Sequence, residues 1–440
     1  MTRRIVRGLG LALCWLVAPR AGAQADAAAD SARPIALAEA VRLAQRRSPL
    51  TVQARGTERN ARAGIRSAYS AFLPNLSLTA DNTHRGGDFV GQDGNITAFT
   101  GPTSYSTALS AGLELFDGGR RLFALRQARF EAGAAAANDV SQRFRVALEV
   151  KQQYFNVLAA RESRGAALAQ LEQARQQFRS ATARVAAGAA TKSDSLRSVI
   201  LVGNARLALV TADNNLRVAN AALTRLVASP YPVTAAVGDS AESSTIELDS
   251  LALDALALRG PAVAQAEANV AAASAAVRVA KTPYLPTIAA RYSRGGSGFD
   301  SRYGLGDTRY VYSDALTFSL SYPLFNQYTR EAQVVRASVA EDNADAVLRD
   351  ARLLARQTLT QYVGAVRSAS ERIEIQTASV TAAEEDLRVQ QQRYALGAST
   401  LLDVLTSQSQ LDGARAALIT ARYDLRVAKA QIEALVGRDL

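Results

Sequence analysis

The sequence predicts a mainly α-helical fold with a small β part, laid out as one pattern used twice, and three observations predict it. Sliding the 440-residue chain by 209 positions places 178–227 on 387–436 without a gap, with 22 of the 50 positions identical. Gly188 falls on Gly397, Thr191 on Thr400 and Asp194 on Asp403, and Leu216-Arg217-Val218-Ala219 recurs as Leu425-Arg426-Val427-Ala428. Ala-rich helices match by accident, but Gly, Thr and Asp in register mark an internal duplication. Proline is absent between Pro102 and Pro230 and again after Pro323. It costs about 3 kcal/mol inside a helix, so both stretches are free to be helical over great length. Finally, four short segments alternate apolar and polar residues with the period of two that a strand requires.

The chain opens with Arg3, Arg4 and Arg7, then an apolar run over 9–18, then Ala23-Gln24-Ala25. That order is a secretory signal peptide over 1–25. The run is too short for a membrane span, which needs about 20 residues. Cys14 lies inside the run with Leu13 before it, against lipidation. Cleavage after Ala25 removes four arginines and lowers the formal net charge from +11 to +7. The remaining arginines are dispersed among Glu, Asp and Gln without a basic block, as on solvated helix faces, and no nucleic-acid partner is expected.

The first repeat spans 26–227 and the second 249–440, joined by a linker at 228–248 that carries Pro230 and Pro232. Apolar residues at three- and four-residue spacing predict helices at about 120–187 and 330–396, for example Val347, Ala351, Leu354, Thr358 and Tyr362. At 1.5 Å per residue each is roughly 100 Å long. Gly188 and Gly397 supply the helix-ending turns, and Asp194 and Asp403 suit the positive first turn of the returning helices, which run to about 227 and 436. A helix near 35–70 stacked on one near 192–227 matches the long helix in summed length.

The strands are the segments of Leu76, Leu78 and Ala80; of Thr107 to Leu115; of Ile288, Ala290 and Tyr292; and of Leu316 to Leu324. Polar loops near 84–104 and 294–309 close each pair, and Asp117-Gly118-Gly119 turns the chain from strand back into helix. Such strands are either half-buried in a soluble sandwich or lipid-facing in an outer-membrane barrel. A sandwich leaves four short strands beside very long helical hairpins with no partner layer. Non-helical backbone survives in lipid only in a closed barrel, and four strands cannot close one, so copies must assemble. Two copies give eight strands and a filled interior; three give twelve, the smallest assembly expected to leave a bore.

One Cys, one His and one Met exclude a disulfide scaffold, a Cys/His zinc site and any nucleophile relay not built on His84, and no enzyme is expected. His84 lies in a loop without neighbouring ligands. Glu384-Glu385-Asp386 reads as an exposed helix face and Gly304-Leu305-Gly306 as loop, so neither a metal nor a cofactor is expected.

Across nearly the whole mature chain the residues resemble the TolC-like outer-membrane efflux protein family. The features that carry the likeness are Leu37-Ala38-Glu39-Ala40-Val41 leading to Ser48-Pro49, the strand starts Phe72-Leu73-Pro74 and Tyr284-Leu285-Pro286, Leu115-Phe116-Asp117-Gly118-Gly119-Arg120, and Arg393-Tyr394-Ala395-Leu396-Gly397 through Asp403-Val404-Leu405. The resemblance implies a homotrimer, with a twelve-stranded β-barrel in the outer membrane of a Gram-negative-type bacterium continued by a periplasmic α-helical barrel. It implies an exit channel for drugs, metal ions or proteins that works with a periplasmic membrane-fusion adaptor and an inner-membrane pump of RND or ABC type. Asp403 matches a tip aspartate that forms a carboxylate ring in the pore, and Asp194 and Tyr394 match positions that help hold the tip closed. Arg184, Gly188, Thr191, Arg393, Gly397 and Thr400 fall at the tips expected to meet the adaptor. Two positions depart from the pattern: Thr406 stands where a second ring aspartate is expected, and Ser399 where a basic residue sometimes occurs, with Lys192 as its alternative. The rival reading is a periplasmic adaptor-like scaffold, which needs one helical hairpin where this chain has two.

Overall fold

A computed structural model describes residues 32–90, 94–101, 103–236, 250–300 and 311–438. The signal peptide and Gly304-Leu305-Gly306 lie outside the described residues. In chain order the elements are β1 (Arg33–Ile35), α1 (Leu37–Arg47), α2 (Pro49–Ser70), β2 (Asn75–Thr83), β3 (Gly86–Val90), β4 (Ile96–Thr100), β5 (Thr103–Phe116), α3 (Arg120–Ala186) and α4 (Lys192–Val227). They continue with β6 (Val233–Ala235), α5 (Ser250–Ala257), α6 (Pro261–Ala280), β7 (Thr287–Asp300), β8 (Val311–Ser321), α7 (Thr329–Ala395) and α8 (Leu401–Val436). The two long helices each hold 67 residues and the two returning helices 36, within a residue or two of the spans expected from proline spacing.

Four expectations need correction. The helix near 35–70 is two helices, because Pro49 has no N–H to donate and forces Ser48 to an extended ψ of 135°. The segment read as linker contains β6, which pairs in parallel with β1 through Arg33↔Val233 and Ile35↔Ala235. The first polar loop contains the antiparallel hairpin β3–β4. The last strand stops at Ser321 rather than Leu324, since Pro323 cannot donate to a ladder.

The principal sheet has the order β2-β5-β7-β8, antiparallel throughout, so β2 and β8 are its edges. Below it the long helices lie side by side with shorter partners. Each returning helix packs back along its long helix, α3 with α4 and α7 with α8, and α8 also lies against α3, so the order at the far end is α4, α3, α8, α7. Nearer the sheet, α2 lies along α3 and α6 fits between α3 and α7. Among the described residues, α4 alone is long and apolar enough to cross a membrane by composition; it packs instead along α3 as half of a hairpin.

The core sits at mid-height. Val150, Tyr154 and Val157 of α3, Leu223 and Val227 of α4, Ala40 and Ala44 of α1, and Val233 of β6 form its largest cluster. A smaller one joins Leu359 and Val366 of α7 to Ile432 of α8 and Leu253 of α5.

The turns from sheet to long helix show what the duplication kept and lost. In the first, Asp117 accepts from the backbone N–H groups of Gly119 (3.1 Å) and Arg121 (2.9 Å) and from Arg121 Nε (3.1 Å). Gly118 and Gly119 take φ of 65° and 81°. The same positions in the second turn are Asn326, Gln327 and Tyr328, and the latter two are held at φ of 55° and 59°, a conformation costly for residues with a Cβ. Asn326 Oδ1 and Arg330 Nε are both buried there without a hydrogen-bond partner. Asn326→Asp is therefore expected to recreate the Asp117–Arg121 arrangement and stabilise the protein by about 1.5–3 kcal/mol, the scale of a hydrogen bond to a charged group. The check is the midpoint of thermal unfolding, which should rise.

Candidate functional site

Two regions concentrate unusual physics, the sheet and the far tips of the hairpins. Directly paired residues in an antiparallel sheet point to the same face. One face carries Leu76 and Leu78 of β2, Leu109 and Leu113 of β5, Ile288 and Tyr292 of β7, and Leu316, Phe318 and Leu320 of β8. The opposite face carries Ser77, Thr79, Ser110, Ser293, Thr317 and Ser319. A soluble sheet buries its apolar face. Here Leu76, Leu78, Phe318 and Leu320 stand 71%, 75%, 66% and 70% exposed in the single chain. Just below, Tyr322, Leu324, Phe325 and Tyr328 are exposed as well. The chain thus presents an uncovered apolar wall with two unpaired edges, which water does not stabilise.

At the tips both hairpins turn in the same way. Gly188 (φ 71°) and Gly397 (φ 76°) end the long helices, with Ala189 N–H donating to Arg184 O and Ala398 N–H to Arg393 O, each at 2.8 Å. This is the glycine-ended helix terminus that needs the left-handed region. Thr191 and Thr400 then begin the returning helices through capping boxes. Asp194 Oδ2 accepts from Thr191 N–H at 3.1 Å, and Asp403 Oδ2 from Thr400 N–H at 2.8 Å, while each threonine hydroxyl accepts from its aspartate's N–H at 3.3 Å. Both aspartates therefore cap helices. The hydrogen bonds from Thr400, and secondarily the nearby Arg393, hold the exposed Asp403 carboxyl below its ordinary range.

Within one chain the tip is joined by Arg184, not by Asp194. Arg184 Nη1 donates to Tyr394 O at 3.0 Å, and its guanidinium lies 4.5 Å from the centre of the Tyr394 ring. Asp194 and Tyr394 form no bond to each other, and the Tyr394 hydroxyl is buried without a partner. Arg393 folds back onto Ala398 O (3.3 Å), and Thr406 donates to Leu402 O within its own helix (3.0 Å). Lys192, Thr191, Thr400 and Gly397 are exposed.

Sequence reasoning missed the polar seam between the hairpins. Gln170 donates to Asp412 (2.7 Å), Gln173 to Gln408 (2.5 Å) and Gln408 to Asp412 (2.9 Å). Burial pushes the Asp412 carboxyl up. Gln177 continues the row with both amide atoms buried and unpartnered, beside a cavity of about 400 Å³ that Arg184 and Tyr394 also line. The available signal was polar pairs at four-residue spacing, Gln173/Gln177 and Gln408/Asp412, inside otherwise Ala- and Leu-rich stripes. Elsewhere His84 Nδ1 lies 3.2 Å from Thr103 Oγ1, and Glu384, Glu385 and Asp386 are bonded to Arg415, Arg388 and Ser407. Among the described residues no cluster of metal-ligating side chains occurs.

Residues 40–229 and 252–438 match the family described as "Outer membrane efflux protein". Among characterised relatives, protein CyaE of Bordetella pertussis is 29% identical over 93% of this chain and 85% of its own. The pyoverdine export outer membrane protein OpmQ of Pseudomonas aeruginosa is 26% identical over 86% and 79%. Outer membrane protein TolC of Escherichia coli is 25% identical over 85% and 76%. Among solved structures the fold is shared with CusC (TM-score 0.78, 18% identity, 91% of this chain and 92% of that one). It is shared also with the outer membrane protein VceC of Vibrio cholerae (TM-score 0.73, 19% identity, 92% and 96%).

Proposed function

The chain belongs to the outer membrane efflux protein family and is an outer-membrane exit channel reaching into the periplasm, and from that premise we propose how its copies make the channel. Three chains close a twelve-stranded barrel, β8 of each copy pairing with β2 of the next. One observation carries this reading: a four-stranded sheet with both edges open and its apolar face bare. Closure removes the edges and turns Leu78, Phe318 and Leu320 toward hydrocarbon, leaving the hydroxyl-bearing face around the bore.

The helices continue the tube. The apolar residues exposed along α4, among them Leu196, Ile200, Leu207 and Val218, and those along α7, among them Val335, Val347 and Leu353, lie on the two outer helices of each chain. In a ring of copies these flanks meet. Residues 26–227 and 249–440 act as two structural repeats joined through 228–248, so that three chains supply six equivalent hairpins.

At the periplasmic end Asp403 and Asp194 face the constriction, with Tyr394 and Thr406 beside them. Arg184, Gly188, Thr191, Arg393, Gly397 and Thr400 present the surface to a periplasmic adaptor, behind which an inner-membrane pump of RND or ABC type loads the cargo. An adaptor-like scaffold is the weaker reading, because both halves match the efflux family and the bare apolar sheet would have no cover.

The test of assembly is extraction. The protein should leave outer membranes only with detergent, run as a trimer without heating and as a monomer after it, and open ion channels in planar bilayers. A water-soluble monomer would overturn the trimeric barrel. For the tip, Asp403→Ala is expected to leave the trimer intact and to lower cation preference and divalent-cation block. The Thr400 hydrogen bonds favour the ionised carboxylate against repulsion from the other two copies, so three charges face the pore in the wild type. Unchanged selectivity would remove Asp403 from the constriction.

A further inference from the structure

We propose that the barrel lumen carries an anion-attracting belt near its periplasmic end, centred on Arg291, through which carboxylate-bearing cargo is favoured. This rests on the barrel reading above, which sets the Ser- and Thr-bearing face of the sheet around the bore.

Most of that face is neutral. Its charged strand residues are Asp81, Glu114 and one cation, Arg291, which stands between Gly112 of β5 and Thr317 of β8 in the ladder, on the lumen side, with no acidic partner reaching it among the described residues. A Cβ at Gly112 would lie 2.6 Å from Asn75 Oδ1, so the Asn75 side chain lies over the glycine instead. Arg291 shares a hollow of about 870 Å³ with Glu114, Arg120, Ser70 and Ser319. Within it Glu114 is engaged by Arg120 at 2.9 Å. Arg291 is left as one uncompensated positive charge per copy.

The other acid on this face is too distant to cancel it. Asp81 lies six residues along β2 from Asn75, which pairs in the Arg291 row. At about 3.3 Å per residue that is roughly 20 Å, beyond two Debye lengths at physiological salt. Three copies therefore set three guanidinium groups around the bore, a long helix away from the carboxylates at the tip. Guanidinium matches carboxylate geometry with paired N–H donors, whereas a lysine ammonium offers only a point charge.

The experiment uses the detergent-purified trimer in planar bilayers under a potassium chloride gradient. Arg291→Ser installs the residue type already present at Ser293 and Ser297 on the same face. It is expected to lower the chloride-to-potassium permeability ratio by about threefold at 0.1 M salt, with the difference fading at about 1 M as screening shortens. Thr317→Asp, directly opposite in the ladder, should give the same loss by neutralisation. Citrate should block wild type more strongly than Arg291→Ser, and Arg291→Lys should keep the permeability ratio but weaken the block. Channels that open normally with an unaltered ratio in both Arg291→Ser and Thr317→Asp would overturn the belt while sparing the barrel. Failure of the wild-type trimer to open any channel would overturn both.

Discussion

Phe318→Arg should destabilise the proposed heat-modifiable trimer, while Ser319→Arg, one residue further along the same strand, should leave it assembled. Neighbouring residues of a strand point to opposite faces, so the two substitutions put the same charge on opposite sides of one wall. Phe318 shares the apolar face with Leu316 and Leu320 and lies across the ladder from Ala290. It is 66% exposed in the single chain, which means nothing in that chain shields a charge placed there from lipid. An arginine on the lipid face costs about 2–4 kcal/mol at the bilayer midplane and about 0–1 kcal/mol near the interfaces; Phe318, three residues from the end of β8, lies toward the lower end of that range, and a trimer incurs the cost three times. Ser319 pairs with Ala289 on the other face, where the proposed bore supplies water and Glu114 is in the same row. Unheated gels of detergent-extracted outer membranes read the outcome directly. A trimer only in Phe318→Arg would reverse the assignment of the faces and with it the Arg291 belt.

How much of this was legible in the sequence depended on the range of the interactions involved. Helix length was readable because it is a local property: 67 residues without proline or a terminating glycine have no reason to stop, and Gly188 and Gly397 supply one. The strands were readable because alternation is local too. The sheet's incompleteness followed from counting four strands against what a closed barrel needs. Contacts between distant elements were not readable. Arg184 and Tyr394 are 210 positions apart and meet only because two long helices keep their phase over many turns. A small error in residues per turn, accumulated over such a length, turns a side chain to another face. The resemblance placed Asp194 and Tyr394 at the tip, and within one chain the Asp194 carboxylate is taken up by its own capping box. β6 was hidden for a different reason: three residues after two prolines carry no period, and the strand exists only because β1 and Tyr154 are there to receive it.

Tyr154 is where the second large effect is expected. Tyr154→Ala should lower the stability of the subunit by about 3–5 kcal/mol, the usual cost of deleting a fully buried aromatic side chain. Tyr154→Phe should cost only about 1 kcal/mol. The hydroxyl donates to Ile35 O and accepts from Ala236 N–H, both at 3.1 Å, but Ala236 N–H also donates to Ile35 O at 3.0 Å. Removing the hydroxyl therefore leaves the backbone pair satisfied, whereas removing the ring opens a cavity among Val150, Val157, Leu223 and Val233. The position explains the size of the effect. A chain whose helices run roughly 100 Å has little thickness to bury anything, and α1 meets the end of α4 against the middle of α3, where Tyr154 sits. The long helix bridges that joint, and the ring fills it. The midpoint of thermal unfolding should fall sharply in the alanine variant and only slightly in the phenylalanine variant. Equal falls in the two would shift the stabilising role from the ring to the hydroxyl, and no fall in either would mean that the joint is held by contacts between copies rather than by the chain's own core.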